Sequence, residues 1–464
     1  MTIWQPNLSG RTGPKFKQIS DAIGESVANG RLAKGSRLPP QRELACALGV
    51  SLNTVSRAYA DAIDRGFVKG EVGRGTYVRE AGPLPTEIPH AALTRPSAGA
   101  IDFSLNLPAP GHAAAALARS LEELSGSAAL ASFLDYQSAG DQGHHAAAAA
   151  KWLGRIGLDA NPDDIVLTTG AQHGIMVALL ATMRPGDVLL SEALTYAPMT
   201  AMAHHLGLKV VPVKSEDGLL DPDALDATCD RVASKVLYCL PTLHTPTTAT
   251  MDVERRSAIA AIARKRGLTL IEDDVFGHLP PARPRPLACF APERTIYITS
   301  TSKSLAPGLR VGYLHAPAER APAHRNAVRL SSWMPPPLMA EIASRWIEDG
   351  TADKLNAFQR EEAAARQSMA RDLIPNRYIR ADAHGFHLWL TLPPNWHPDV
   401  FRMEAQNRGV RVVVGGAFAV NPADSPNAIR LCLSHESTRA RVHAGLVAIA
   451  ELLQSTGQRG SMIL

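Results

Sequence analysis

The sequence predicts an α/β protein with a large, mostly parallel sheet, preceded by a small basic winged helix-turn-helix. Three observations carry that expectation. Short apolar runs alternate with helix-forming stretches from residue 165 to residue 298. Residues 1–79 hold 12 Lys/Arg against 6 Asp/Glu, whereas the remainder holds 36 against 38. At 464 residues and 45% hydrophobic content, the chain exceeds one ordinary domain and has enough apolar material for a sizeable core.

In the basic block, Phe16, Ile19, Ile23 and Val27 fall three or four apart after Pro14, so they line one face of a helix of about four turns. Gly30 and Gly35 punctuate the chain, and Pro39-Pro40 leads into a short helix from Arg42 to Leu48. Gly49-Val50 then turns the backbone. Ser51 is suited to cap a third helix through Val55, Ala58, Tyr59, Ala62 and Ile63, because its hydroxyl can accept from an otherwise unpaired N–H. Two short helices joined by such a turn predict a helix-turn-helix. After Gly66 the period changes to two, in Phe67-Val68-Lys69 and Thr76-Tyr77-Val78, around a basic tip, Gly73-Arg74-Gly75. The localised positive charge points this winged unit at double-stranded DNA; a wing used only for protein contacts is the competing reading.

Residues 80–100 are rich in Pro and Ala without periodicity and read as a tether. The expected division is therefore 1–79, a winged helix; 80–100, a linker; and 101–464, the α/β domain. Its strands are expected at Ile165–Leu167, Val188–Leu190, Val210–Val213, Val236–Leu240, Leu268–Ile271 and Ile296–Ile298. Strands alternating with helices imply parallel pairing with both faces covered. The Ala-rich stretches at Ala113–Ala118 and Ala146–Ala150 suit helices. Five scattered cysteines without a C-x-x-C pair argue against a disulfide framework and a zinc site, and no apolar run reaches membrane-spanning length. A soluble, cytoplasmic protein without a metal is expected.

Lys303 is the most informative residue. It sits in Ile296-Tyr-Ile-Thr-Ser-Thr-Ser-Lys-Ser-Leu-Ala-Pro-Gly-Leu-Arg-Val-Gly-Tyr313, a lysine on a hydroxyl-rich turn with Arg310 seven residues on. An amine that holds an aldehyde as an imine, with Ser300, Ser302 and a guanidinium fork to grip a phosphate, reads as a site for pyridoxal 5'-phosphate. Upstream, strand Ile165–Leu167 enters Thr168-Thr169-Gly170-Ala171-Gln172, where small residues at a helix start either admit an anion or simply pack tightly. Leu268–Ile271 ends in Glu272-Asp273-Asp274; these acids either pair with a protonated pyridine nitrogen or cap a loop. Tyr196 either stacks on a cofactor ring or belongs to the core. Arg430, in the apolar run Ala428–Leu433, is a buried cation that needs an anion, and a substrate carboxylate or sulfonate qualifies.

In this order of elements the chain resembles the MocR-type members of the GntR regulators, in which a winged helix-turn-helix is fused to a domain with the fold of type I aminotransferases. The N-terminal resemblance rests on Gly13-Pro14, Gly30-Arg31-Leu32, Gly35-Ser36-Arg37-Leu38-Pro39, Arg42-Glu43-Leu44-Ala45, Asn53-Thr54-Val55 and Gly73-x-Gly75-Thr76. The C-terminal resemblance rests on the ordered elements above, with Tyr136 and Gly140 added. It implies the internal aldimine for Lys303, the pyridine nitrogen for Asp273 and ring stacking for Tyr196. It gives the phosphate to Gly170, Ala171, Gln172, Ser300, Ser302 and Arg310, with Tyr136 reaching it from a neighbouring subunit, and an effector carboxylate to Arg430. Arg42, Ser51, Asn53, Thr54 and Arg57 would face DNA, with Arg74 and Gly75 at the wing tip.

Three departures from the family pattern matter. Thr245 stands where aminotransferases usually place an asparagine on the cofactor's phenolic oxygen, so that position is a cofactor contact of a different kind. Asp273-Asp274-Val275-Phe276 lacks the tyrosine expected near its end, and Leu52 replaces an arginine common in the helix-turn-helix. Losing two oxygen donors leans away from rapid turnover. The expected function is a pyridoxal-phosphate-dependent, homodimeric transcriptional regulator that senses an amino compound by aldimine exchange at Lys303. A working aminotransferase with an accessory DNA-binding domain, or a cofactor-free repressor on the same scaffold, are the competing readings, and residual transaminase activity is compatible with the first.

Overall fold

The computed structural model describes residues 4–8, 11, 13–28, 31–33, 35–64, 67–71, 75–78, 99–137 and 142–455. The chain divides into two compact units, 1–93 and 94–464. Arg74, Gly140 and nearly all of the expected linker lie outside the described residues.

In the first unit, α1 (Lys15–Ala28), α2 (Gln41–Leu48) and α3 (Leu52–Asp64) precede an antiparallel hairpin of β1 (Val68–Glu71) and β2 (Gly75–Val78), with Val68 opposite Val78. The apolar stripe of α1 is what builds the core: Ile19 and Ile23 are fully buried against Leu44, Val55, Ala58 and Tyr59. Gly49 closes α2 in the left-handed region (φ 63°), a conformation that costs a Cβ-bearing residue about 1–2 kcal/mol. Ser51 then accepts from the Thr54 N–H at 3.2 Å, and the buried Tyr59 hydroxyl donates to the Pro39 carbonyl at 2.7 Å, pinning α3 to the entry of α2.

In the second unit the strands run β3 (Ile101–Asp102), β4 (Ile165–Thr168), β5 (Val188–Glu192), β6 (Lys209–Val213), a small hairpin of β7 (Ser215–Glu216) and β8 (Leu219–Leu220), then β9 (Val236–Cys239), β10 (Thr269–Asp273), β11 (Thr295–Ser300) and β12 (Gly312–His315). A second group follows: β13 (Ile379–Ala381), β14 (His387–Thr391), β15 (Val410–Arg411), β16 (Val413–Val414) and β17 (Ala428–Cys432). The large sheet has the order β4-β12-β11-β10-β9-β5-β6. Its neighbours are parallel except for β12, which is antiparallel to both β11 and β4. Side chains alternate between faces: Tyr238 and Ile271 join one core cluster, Leu237 and Leu270 the opposite one. Burial on both faces is why these strands read as continuous apolar runs.

Helices α4 (His112–Ser125), α5 (Gly143–Gly154), α6 (Ala171–Thr182) and α7 (Ala197–His205) precede the later helices, and the two Ala-rich stretches fall within α4 and α5. A smaller antiparallel sheet, β13-β14-β17-β16, packs its own core around Phe103, Leu388, Leu431 and Leu446. Among the described residues, no helix is long and apolar enough to cross a membrane.

Candidate functional site

The Lys303 loop is an excursion between two antiparallel neighbours. Thr301 N–H and Oγ1 both donate to the Val311 carbonyl, at 3.0 and 3.2 Å, so the loop is closed at its base and carries Lys303 and Arg310 together. Ser300 Oγ accepts from the Ser302 N–H at 3.3 Å, which shapes the turn before the lysine. The lysine amine donates to the backbone carbonyl of Asn106 and lies 5.6 Å from the Phe276 ring centroid. Burial is the main cause that brings its pKa down to about 8; Arg430 and Arg310 also lower it, while Cys432 and Asp273 oppose them.

Sheet order puts the anion turn beside this loop. A Cβ on Gly312 would lie 2.6 Å from the Gly170 carbonyl carbon and from Thr168 Oγ1, so only glycine permits β12 to approach the β4–α6 turn this closely. Gly170 has φ 80°, and a Cβ there would meet Arg310 Nη2 at 2.7 Å. Arg310, itself left-handed (φ 54°), donates from Nη2 to the Thr169 carbonyl at 3.0 Å. Ala171 is buried at the start of α6, and Gln172 is exposed beside it. The turn is therefore a helix start with a guanidinium laid across it.

The three consecutive acids have separate fates. Glu272 accepts from the Leu287 and Ala288 N–H groups, both at 2.8 Å, and Asp274 holds Arg283 at 2.6 Å and the Tyr297 hydroxyl at 2.9 Å. Both serve the core. Asp273 accepts from the Tyr238 hydroxyl at 2.6 Å through Oδ2, while its Oδ1 is buried without a hydrogen-bond partner. Burial raises the Asp273 carboxyl to about 6, against the Tyr238 hydrogen bond and the charge of Lys303, which lower it. Tyr196, just before α7, is raised to about 12, first by burial and then by Asp273, and it also feels Arg310 and Arg430. Lys303, Asp273, Tyr196, Arg310 and Arg430 thus share one electrostatic neighbourhood. Thr245 is buried in the loop between β9 and the next helix, where Leu243 and Thr248 take left-handed φ values of 46° and 64°.

Arg430, on β17, is 8% exposed. Its Nη2 donates to the Ser104 carbonyl at 2.7 Å and its guanidinium lies 4.7 Å from the Phe418 ring centroid, but Nε is buried without a partner. Among the described residues no carboxylate pairs with it. Tyr136 stands apart: it is 79% exposed, its ring 5.4 Å from that of Trp333.

Sequence reasoning missed four residues. Tyr238 was detectable only as a polar residue at a fully buried strand position. Asn106, Ser104 and His387 carry no motif, and long-range pairing alone brings them to Lys303 and Arg430. A further group, His144, His145 and Glu341, brings potential metal ligands within 4.8 Å of one another, but Glu341 already holds Arg345 at 2.7 Å and His144 at 2.9 Å, and His145 Nδ1 meets Ser344 Oγ at 2.8 Å.

In the first unit, Arg42, Ser51, Asn53 and Arg57 are exposed and Thr54 is half-buried, so the start of α3 presents a polar face that also includes the exposed Leu52. Arg57 lies 4.4 Å from the Phe16 ring centroid, which tethers it to α1. At the wing, Gly75 has φ 116°, and a Cβ there would meet Arg37 Nε at 2.7 Å, placing the exposed Arg37 against the base of β2.

A winged helix followed by a lysine-bearing type I aminotransferase fold defines a class of bacterial regulator. Residues 15–78 match the family of bacterial regulatory proteins named for gntR, and residues 98–449 match aminotransferase class I and II. The chain is 30% identical to the uncharacterized HTH-type transcriptional regulator YdeF of Bacillus subtilis, over 97% of this chain and 96% of that one. It is 27% identical to the vitamin B6 salvage pathway transcriptional repressor PtsJ of Salmonella typhimurium, over 91% and 95% of the two chains. Among solved structures, the α-aminoadipate aminotransferase LysN of Thermus thermophilus, complexed with N-(5'-phosphopyridoxyl)-L-leucine, matches with a TM-score of 0.69 and 25% identity, over 80% of this chain and 95% of that one. The chain belongs to the GntR family, as a MocR-type regulator carrying an aminotransferase class I and II domain.

That family implies pyridoxal 5'-phosphate, and the residues present fit it. Asp273 Oδ1 is a buried acceptor awaiting a donor, and the Gly170 turn under Arg310 is open only because no Cβ fills it.

Proposed function

We propose that this protein is a pyridoxal-phosphate-dependent transcriptional regulator in which an amino compound displaces the Lys303 amine and thereby alters how a pair of winged helices reads an operator in the cytoplasm. The cofactor, when bound, supplies an aldehyde that condenses reversibly with primary amines. The chain's own residues do the rest. Lys303 is held partly neutral near physiological pH, the form in which its amine would condense with that aldehyde. Asp273 Oδ1 would take the pyridine N–H, Tyr196 would stack on the ring, and Thr245 would face its oxygen edge. Gly170, Ala171, Gln172, Ser300, Ser302 and Arg310 would hold the phosphate, and Arg430 would take the effector's acidic group.

The observation that carries this reading is the pairing of a buried lysine, acid and arginine in one neighbourhood with an edge where Thr245 and Phe276 stand in place of the asparagine and tyrosine usual in aminotransferases. Phe276 places a ring, not a hydroxyl, beside Lys303. Binding and exchange survive such a change better than fast proton transfer does. A homodimer is supported by exposed apolar side chains: Leu134 is 89% exposed, Leu330 79%, and Trp333, whose ring meets that of Tyr136, 57%. Two copies would bring two recognition helices to two half-sites and carry Tyr136 to the partner's phosphate. Arg42, Ser51, Asn53, Thr54 and Arg57 would contact DNA, with Arg74 and Gly75 at the wing.

The test is a promoter assay with Lys303→Ala beside the unaltered protein. Effector response is lost in the variant if the lysine is the exchange point; normal regulation by the variant, with and without inducer, removes the proposal. Sustained amino transfer to a keto acid by the unaltered protein would instead establish an aminotransferase.

A further inference from the structure

Asn106 lies in the extended segment after β3, and its two polar ends are committed differently. Its backbone carbonyl accepts from the Lys303 amine, and its side-chain Nδ2 lies 3.3 Å from His387 Nδ1. The orientation of that amide follows from the network. His387 is fully buried on β14, and its Nε2 faces the His244 carbonyl at 3.3 Å, so Nε2 must carry the proton. A neutral imidazole protonated there leaves Nδ1 as an acceptor, which requires an N–H from Asn106. Burial, and then Arg430, push the His387 pKa down to about 3, so the ring stays neutral. Lys303, Cys432, Arg310, Asp273, His244 and Arg430 are charged or titratable groups around this end of the site.

With Nδ2 fixed on the histidine, Asn106 Oδ1 is left as a buried carbonyl oxygen with no hydrogen-bond partner. The same segment delivers the Ser104 carbonyl to Arg430 at 2.7 Å. One short stretch of chain thus touches both the lysine that an effector's amine would displace and the arginine that would take its acidic end, and it carries an unmet buried acceptor. An acceptor buried without a partner destabilises the site, and a ligand donor at that point relieves the cost.

We infer that Asn106, oriented by His387, is a specificity residue that selects effectors carrying a second hydrogen-bond donor, a hydroxyl, amide or ammonium, close to the reacting amine. The inference rests on amine sensing at Lys303 and names the class of compound sensed. Asn106 would contact the ligand, and His387 is a positioning residue acting through it.

The experiment uses the full-length protein loaded with pyridoxal phosphate and titrated with L-serine, L-alanine and L-2,3-diaminopropionate, affinity being read from the cofactor absorbance. Serine and diaminopropionate are expected to bind about tenfold more tightly than alanine. Asn106→Leu and His387→Phe should bring the ratio of serine to alanine affinity to about one, since the first removes the acceptor and the second lets the amide rotate. Should either variant fail to fold, as its melting curve would reveal, Asn106→Asp decides: it keeps an acceptor and adds charge, so diaminopropionate should overtake serine. Equal affinities for serine and alanine in the unaltered protein, or an unchanged ratio in the variants, overturn the inference and leave amine sensing intact. A loaded protein whose spectrum none of the three compounds alters overturns both.

Discussion

The two sides of Lys303 are built in opposite ways. On the phosphate side, glycines at 170 and 312 let backbone approach backbone, and Arg310 bonds the Thr169 carbonyl across the turn. On the effector side, the Arg430 and Asn106 side chains each have one hydrogen bond and retain a buried polar atom with none. The first is a cradle shaped by backbone geometry. The second is preorganised but unsatisfied, so a ligand there supplies interactions that the protein alone lacks.

The largest effect should follow from Arg430→Ala. Removing the cation from an acidic ligand costs about 2–5 kcal/mol, so titration with an amino acid should show at least a thirtyfold loss of affinity. A loss below threefold would place the acidic end elsewhere and break the contrast.

On the phosphate side, Gly170→Ala should weaken cofactor retention about tenfold, because the residue is left-handed at φ 80° and its Cβ would meet Arg310. Equilibrium dialysis of pyridoxal phosphate against the variant measures this. Retention equal to that of the unaltered protein would show that the turn can widen.

Between the two sides, pH separates the amine from the acid. Lys303 is depressed to about 8, so its neutral form grows as pH rises to that value, and capture of pyridoxal phosphate by the free protein should slow about tenfold per pH unit below it. Asp273 is raised to about 6, so its carboxylate exists above that pH and is lost below it. Cofactor retention should accordingly decline as pH falls through about 6. Stopped-flow absorbance reads the first, and dialysis the second; a capture rate flat from pH 6 to 9 would contradict the depressed amine.

The smallest effect is expected at the oxygen edge. Thr245→Asn returns an amide where aminotransferases usually have one, and should move the absorption maximum of the bound cofactor while changing its affinity by about threefold or less. An unmoved maximum would mean that residue 245 does not reach the ring.

By itself the sequence determined the elements with strong local signals. Period-three and period-four apolar spacing gave α1, Gly49 and Ser51 bounded the second and third helices, and unbroken apolar runs gave the buried parallel strands, because backbone geometry and burial impose those patterns residue by residue. Lys303 and Arg310 were legible for the same reason, as one loop holds both. Only the tertiary structure chose among Glu272, Asp273 and Asp274, since their partners Leu287, Tyr238 and Arg283 come from other parts of the fold. Nor could any local pattern reveal Asn106 and His387, 281 residues apart yet in contact, because sheet pairing and domain packing bring them together. Chemistry carried on one loop can be read along the chain, whereas an acceptor left unmet is a property of everything that surrounds it.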